Sequence, residues 1–192
     1  MEKRFIIGLV TATLLVGLSC HPARAQRTVN NSLLISADYS FPFGMKGSDF
    51  CVDLSCGQYL IDSYWNTGII GNMYSSLLKS DDESMRYAQV AAFGEYMYRV
   101  AATRNRAVNL YLGGGAFIGY EAYDPFTKLP DYIDTGLGNG SFLYGIQAGF
   151  STEFYFYRNV AFLIGGRIPV NFTSPVRKVN YHLSAGIRIN LK

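Results

Sequence analysis

The sequence predicts an all-β protein, namely an eight-stranded antiparallel up-and-down transmembrane β-barrel. Segments in which every second residue is apolar recur along the chain, and a period of two is typical of strands with one apolar face. Charged residues make up 16% of the chain, whereas soluble domains average about 25%. The faces opposite the apolar ones carry mainly small residues with an occasional charge, which suits the cramped interior of a narrow barrel.

The N-terminus has the pattern of an export signal. Lys3-Arg4 precedes an apolar stretch at residues 5–18, and Ala23-Arg24-Ala25 forms a cleavage site of the A-x-A type. The apolar stretch is shorter than the ~20 residues that a membrane-spanning helix needs. We therefore predict that residues 1–25 are a cleaved signal peptide and that residues 26–192 form a single barrel domain.

Cysteine usage leaves two further questions. Lipidation of Cys20 is the less favoured alternative to simple cleavage, because Gly17 stands where lipoprotein signals usually have Leu. Cys51 and Cys56 lie on opposite faces of a regular strand, so they can form a disulfide only if the chain folds back between them. The favoured interpretation is two unpaired, small apolar side chains.

The first four predicted strands show alternation of unequal quality. Apolar residues occupy the odd positions of 33–41, the even positions of 50–56 and, with one glycine, the even positions of 88–98. The third segment is the least regular. These four strands are predicted at residues 33–41, 50–58, about 65–78 and 86–100.

The last four predicted strands alternate more strictly. Apolar residues and glycine occupy the even positions of the fifth, sixth and seventh segments, with Thr152 as the interruption, and apolar residues occupy the odd positions of the eighth. No helical periodicity of similar quality appears in the mature chain. These strands are predicted at residues 108–120, 142–156, 160–170 and 179–191.

The two faces of each strand indicate the solvent on each side. The apolar faces carry large side chains with Tyr and Phe near the strand ends, like the aromatic girdles of membrane barrels. We predict that these faces contact lipid and that the opposite faces line the lumen. A soluble, lipocalin-like barrel is the alternative, although it would need an outer face richer in charge.

The connections between the predicted strands agree with this orientation. If the chain starts in the periplasm, connections alternate between outside and inside. The inside connections, at residues 59–64, 101–107 and 157–159, include the tightest one. The outside connections, at residues 42–49, 79–85, 121–141 and 171–178, include the longest one.

Four charged residues fall on inward faces of the predicted barrel. Opposed carboxylates and guanidiniums inside a narrow barrel are expected to pair, because an unpaired buried charge costs several kcal/mol. An ion-pair network that plugs the lumen is the favoured interpretation, and a gate that opens a pore is the alternative. The four residues are Glu95, Glu153, Arg167 and Arg188.

The last strand contains the motif H-x-S-x-G, which is similar to an element of outer-membrane phospholipases. Catalysis would require Ser184 to be activated by His182. Ala185 stands where that family has Asn, the chain is too short for a twelve-stranded enzyme, and alternation turns both residues inward. We therefore predict no catalytic residue and no enzymatic activity.

The predicted outer loops carry the remaining candidates. The long loop at residues 121–140 is the best candidate for contact with a partner protein, because long loops on rigid barrels tend to carry function. Its apolar side chains are Phe126, Leu129, Tyr132 and Ile133. The acidic stretches Asp81-Asp82-Glu83 and Asp124, Asp131 and Asp134 match no defined ligand loop, so a solvated loop is favoured over cation binding. No metal ion or other cofactor is predicted.

Charge gives little support for a nucleic-acid partner. Removing residues 1–25 takes away three basic residues and one acidic residue, and the net charge falls from +3 to +1. No basic cluster remains, so we expect no direct binding of nucleic acid. The oligomeric state stays open.

Several stretches resemble the TraO family of conjugative-transposon transfer proteins. They are SFLYGIQAGFSTEFYFYRNVAFLIGGR followed by HLSAGIRIN, LGGGAFIGYE with its Gly119-Tyr120-Glu121 ending, and the exported start Ala25-Gln26-Arg27. The resemblance extends from about residue 86 to the end, whereas residues 33–43 depart from the family's mature N-terminus.

The resemblance implies a structural component of a DNA-transfer apparatus in the outer membrane, with outer-membrane lipid and other apparatus proteins as its partners. Two other function classes stay open. One is a general small outer-membrane protein of the OmpA or OmpX type that anchors the envelope or adheres to surfaces. The other, more remote, is an outer-membrane lipid hydrolase.

Overall fold

The computed structural model describes residues 32–42, 49–77, 84–123, 140–157, 159–174 and 177–191. The predicted signal peptide and the four apolar residues of the long loop lie outside these ranges. Within them, no helix is long and apolar enough to cross a membrane. The strands are β1 (Leu33–Pro42), β2 (Phe50–Tyr59), β3 (Ser63–Leu77), β4 (Ser84–Ala102), β5 (Val108–Tyr123), β6 (Gly140–Tyr157), β7 (Val160–Asn171) and β8 (His182–Leu191).

The strands close into a barrel in chain order. Each pairs antiparallel with the next, and β1 pairs with β8 from Leu33–Leu191 to Pro42–His182. Closure leaves no sheet edge with unpaired backbone groups, as a lipid environment requires. The prediction of an eight-stranded antiparallel transmembrane barrel is confirmed.

The bounds of all eight strands lie within three residues of the predicted ones. The chain enters β8 at His182, three residues later than expected, because Val179 makes only an isolated bridge to Val170. By contrast, β3 pairs with β4 without a break over its whole length. Its pattern looked irregular because Thr67 faces outward and Ile70 faces the lumen.

The outer surface is an apolar belt. Leu54 is 61% exposed and Ile69 is 62% exposed, whereas the inward neighbour Asp53 is 1% exposed. Aromatic side chains are exposed near both ends of the barrel, as in the girdles of membrane barrels. At the end opposite the start of β1 and the end of β8 they include Tyr39, Phe41, Tyr120, Phe142, Tyr144, Phe172 and Tyr181, and at the other end Trp65, Tyr96, Tyr98, Phe156 and Tyr157.

The two ends of the barrel differ in the connections that they hold. The tight-turn end holds the β2–β3, β4–β5 and β6–β7 connections, and the loop end is opposite. A buried apolar cluster fills the lumen near each end. The tight-turn cluster is Leu34, Tyr59, Tyr64, Met97 and Tyr111, and the loop-end cluster is Cys51, Ile70, Ala91, Phe93, Phe117 and Leu143.

The cysteines of β2 remain unpaired. Cys51 is buried in the lumen and Cys56 is exposed on the outer face. The strand between them is continuous, so the chain does not fold back as a disulfide would require. The interpretation of two free thiols is confirmed.

One inward glycine makes room for the polar lumen. A Cβ atom on Gly115 would lie 1.9 Å from the carbonyl oxygen of Gly94 and 2.8 Å from the Cβ of Glu95. Because backbone cannot yield to such a contact, β4 and β5 can pack this closely only when residue 115 lacks a side chain.

Candidate functional site in the barrel lumen

A buried ion pair lies near the tight-turn end. Arg188 on β8 pairs with Glu153 on β6, and their side chains are 2% and 0% exposed. The hydroxyl of Tyr59 donates to the same carboxylate. Arg188 Nε also donates to Ser36 Oγ at 2.8 Å, and its guanidinium lies 4.3 Å from the ring centroid of Tyr64. We call Arg188 and these partners the Arg188 layer.

Further donors complete the environment of Glu153. Tyr155 donates its hydroxyl to Glu153 Oε2 at 3.0 Å, and Asn190 donates to Tyr155 at 3.0 Å. The carboxylate is therefore bound by one guanidinium and two phenols. The layer joins β1, β2, β3, β6 and β8, so it connects strands on both sides of the β1–β8 contact that closes the barrel.

A second charged layer lies toward the middle of the barrel. Arg167 on β7 contacts Asp53 Oδ2 at 3.1 Å and the Glu95 carboxylate at 3.3 Å. Its guanidinium lies 4.9 Å from the ring centroid of Phe93. Gln147 Nε2 donates to Glu95 at 2.9 Å. This set, the Arg167 layer, crosses the lumen from β7 to β2 and β4.

Neutral and acidic groups fill the lumen near the loop end. Gln89 donates to the carboxylate of Glu121, and Ser174 Oγ donates to it at 3.0 Å. Tyr74 and His182 Nε2 share a hydrogen bond of 3.0 Å. Side chains from neighbouring and opposite strands therefore meet at this level too.

A small cavity lies in the described lumen. It has a volume of about 30 Å³ and is lined by Asp38, Asn66, Glu95, Arg167, Ser184 and Arg188, among others. A polar cavity of this size holds a water molecule or two but no organic substrate. Side chains of the two charged layers and the two apolar clusters occupy the lumen around this cavity.

The family model for conjugative transposon protein TraO matches residues 31–191, which include the whole barrel. The chain belongs to the TraO family. A search of curated proteins gave no match.

Two solved structures share the fold of this TraO-family chain. Neisserial surface protein A is 18% identical, with a TM-score of 0.58 over 82% of this chain and 96% of that one. The N-terminal β-barrel domain of Pseudomonas aeruginosa OprF is 13% identical, with a TM-score of 0.51 over 84% of this chain and 98% of that one. At these identities the likeness shows the fold alone.

The four charged residues expected in the lumen of this TraO-family barrel all point inward. Arg188 meets Glu153, and Arg167 meets Glu95. Glu153 and Arg167 belong to different layers. Asp53, a partner of Arg167, was not among the four predicted lumen charges. It lies between Val52 and Leu54, whose side chains point outward, so alternation implies that its own side chain points inward.

The H-x-S-x-G residues do not form the arrangement that the motif would need. The imidazole Nε2 of His182 contacts Tyr74, whereas Ser184 lines the cavity deeper in the lumen. Phe126, Leu129, Tyr132 and Ile133 lie outside the described residues, as do the acidic loop stretches. Among the residues that the structure describes, no three His, Cys, Asp or Glu side chains group as metal ligands.

Proposed function

We propose that this TraO-family chain is an outer-membrane component of a conjugative DNA-transfer apparatus, with a structural or assembly role and no enzymatic activity. The observation that carries the proposal is the family match over residues 31–191, because it spans the entire barrel. The barrel's exposed apolar belt is consistent with the outer membrane, where closed β-barrels are the usual spanning structures.

The packed lumen favours a role at the surface of the barrel. Both charged layers and both apolar clusters obstruct passage along the axis, so transfer of DNA or large solutes through this lumen is not part of the proposal. Contact with other apparatus proteins would be made by the loops between strands, and we assign it to Phe126, Leu129, Tyr132 and Ile133. Export by a signal peptide cleaved after Ala25 belongs to the same proposal.

A general envelope protein of the OmpA or OmpX type is the second candidate. It is favoured by the fold likeness to neisserial surface protein A and to the OprF barrel domain, which requires no transfer machine. The lipid-hydrolase alternative would depend on Ser184, so a phospholipase assay of the Ser184→Ala variant against the unaltered protein tests it.

Deleting the gene from a donor strain tests the proposed function. We expect the number of transconjugants to fall to the background of a donor that lacks the relaxase, because an apparatus without its outer-membrane part cannot complete transfer. The unaltered gene supplied in trans should restore transfer. Undiminished transfer from the deletion strain would overturn the conjugation role, and increased detergent sensitivity in that strain would favour the general envelope role.

A further inference from the structure

Two aspartates face each other inside the lumen. Asp38 on β1 and Asp53 on β2 are direct partners in the strand register, and both point inward. Their carboxyl groups are within reach of a side-chain hydrogen bond. Gly186 on β8 provides the space, because a Cβ atom there would lie 2.1 Å from Asp38 Oδ1.

The charges around this pair do not balance if every carboxyl group is ionised. Two cations, Arg167 and Arg188, face this region, and four carboxyl groups face them, namely Asp38, Asp53, Glu95 and Glu153. The other described titratable groups that face this region are the Cys51 thiol on β2 and the His182 imidazole on β8, and neither is a fixed positive charge. Burying an unpaired carboxylate costs several kcal/mol, and a proton bound in this region would remove one of the two excess negative charges.

The hydrogen-bond pattern shows where that charge belongs. Asp53 Oδ2 accepts from Arg167, but Asp53 Oδ1 is buried and has no donor. A carboxylate can only accept, whereas a protonated carboxyl group donates one hydrogen bond. A proton on Asp38 would supply the missing donor for Asp53 Oδ1 and remove one negative charge from the layer.

We propose that the Asp38–Asp53 pair is a proton-binding site that holds one shared proton in the folded barrel. Two adjacent carboxyl groups that cannot both ionise share a proton in this way. While the proton is bound, Asp38 and Asp53 attract each other and the Arg167 layer stays closed. When the proton leaves at alkaline pH, two carboxylates repel across the β1–β2 pair and weaken the barrel.

The Asp38→Asn variant tests this proposal, because its amide can donate to Asp53 Oδ1 without carrying a titratable proton. The midpoint of thermal unfolding, followed by heat-modifiable gel migration, should fall for the unaltered protein as the pH rises from about 4, where an ordinary aspartate ionises, until the shared proton leaves. The folded state binds one more proton than the unfolded state there, so stability decreases with pH. Asp38→Asn should lose this additional dependence, and the control Asp62→Asn, which alters an exposed carboxylate at the β2–β3 turn, should keep it.

Infrared spectroscopy of the unaltered protein, labelled with ¹³C-carboxyl aspartate, provides a test that needs no variant. We expect the carbonyl band of a protonated aspartic acid in the folded barrel at neutral pH, and its loss at alkaline pH. Absence of that band at neutral pH would overturn the proposal, as would equal pH dependence in Asp38→Asn. Stabilisation by sodium relative to choline, with no protonated band, would instead identify a bound cation and overturn the proton site.

Discussion

Replacing Arg188 with alanine is expected to destabilise the folded barrel by about 3–5 kcal/mol, because removing one partner of a buried ion pair leaves the other charge uncompensated. Glu153 is fully buried, and the two phenols that remain near it cannot supply a positive charge. The free energy of unfolding can be measured by denaturant titration in lipid or detergent. The single tryptophan, Trp65, lies on the outer face and serves as the fluorescent probe.

Two further variants show whether this loss comes from the unpaired charge. Arg104→Ala removes an arginine from the exposed β4–β5 turn and should change stability by less than about 0.5 kcal/mol. The double variant Arg188→Met with Glu153→Leu removes both charges and should recover much of the lost stability, since apolar replacements of a whole buried pair are often tolerated. A single variant as stable as the unaltered protein would contradict the assigned ion pair.

The second large effect is expected on the outer face. Leu54→Arg should destabilise the barrel by about 2–4 kcal/mol in a lipid bilayer, because an arginine on the lipid face near the bilayer midplane must leave water. Leu54 is 61% exposed and lies beside Ala37 and Ile69 in the strand register. It lies midway along β2 and follows Asp53 of the mid-barrel Arg167 layer. The measurement is the same denaturant titration, carried out after refolding into vesicles.

The matched control for this site is Leu54→Met, which keeps an apolar side chain of similar volume and should cost less than about 1.5 kcal/mol. Comparing the free energies of unfolding of the two variants separates the effect of the charge from the effect of side-chain shape. If Leu54→Arg were neutral, or increased the solubility of a detergent-free protein, the outer face would be in contact with water and the transmembrane assignment would be wrong.

Strict alternation was enough to predict most of the barrel from sequence. The period of two sets both the strand and its two faces, so β5 and β7 begin at the predicted residue and their large apolar side chains face lipid. The alternation is hidden where one face of a strand carries both polar and apolar residues. In β3 the outward Thr67 and the inward Ile70 hide the alternation, because the lumen of a small barrel accepts apolar side chains and its outside tolerates a threonine.

The candidate site was predictable only in part for a related reason. Alternation places Glu95, Glu153, Arg167 and Arg188 in the lumen, but it does not say which charges meet. Pairing depends on strand tilt and stagger, which set the level that each side chain reaches across the barrel. The alternation in β2 also places Asp53 in the lumen, whereas its contact with Arg167 required the structure.

The hydrogen bonds across the lumen could not be predicted from the sequence. Tyr59 and Tyr155 bind the same carboxylate from different strands and are 96 residues apart in the chain. No local pattern distinguishes these tyrosines from those of the girdles. Their inward position follows from the alternation of side chains along each strand. Their shared partner, Glu153, is set by the closure of the barrel.

The proposed structural role depends most directly on a lumen closed by its own side chains. The decisive measurement is the current through a planar lipid bilayer that contains the unaltered, refolded protein. We expect no discrete conductance steps at moderate voltage, because the Arg188 and Arg167 layers and the two apolar clusters fill the barrel. Reproducible single-channel steps would contradict a plugged lumen and would favour a gated pore instead.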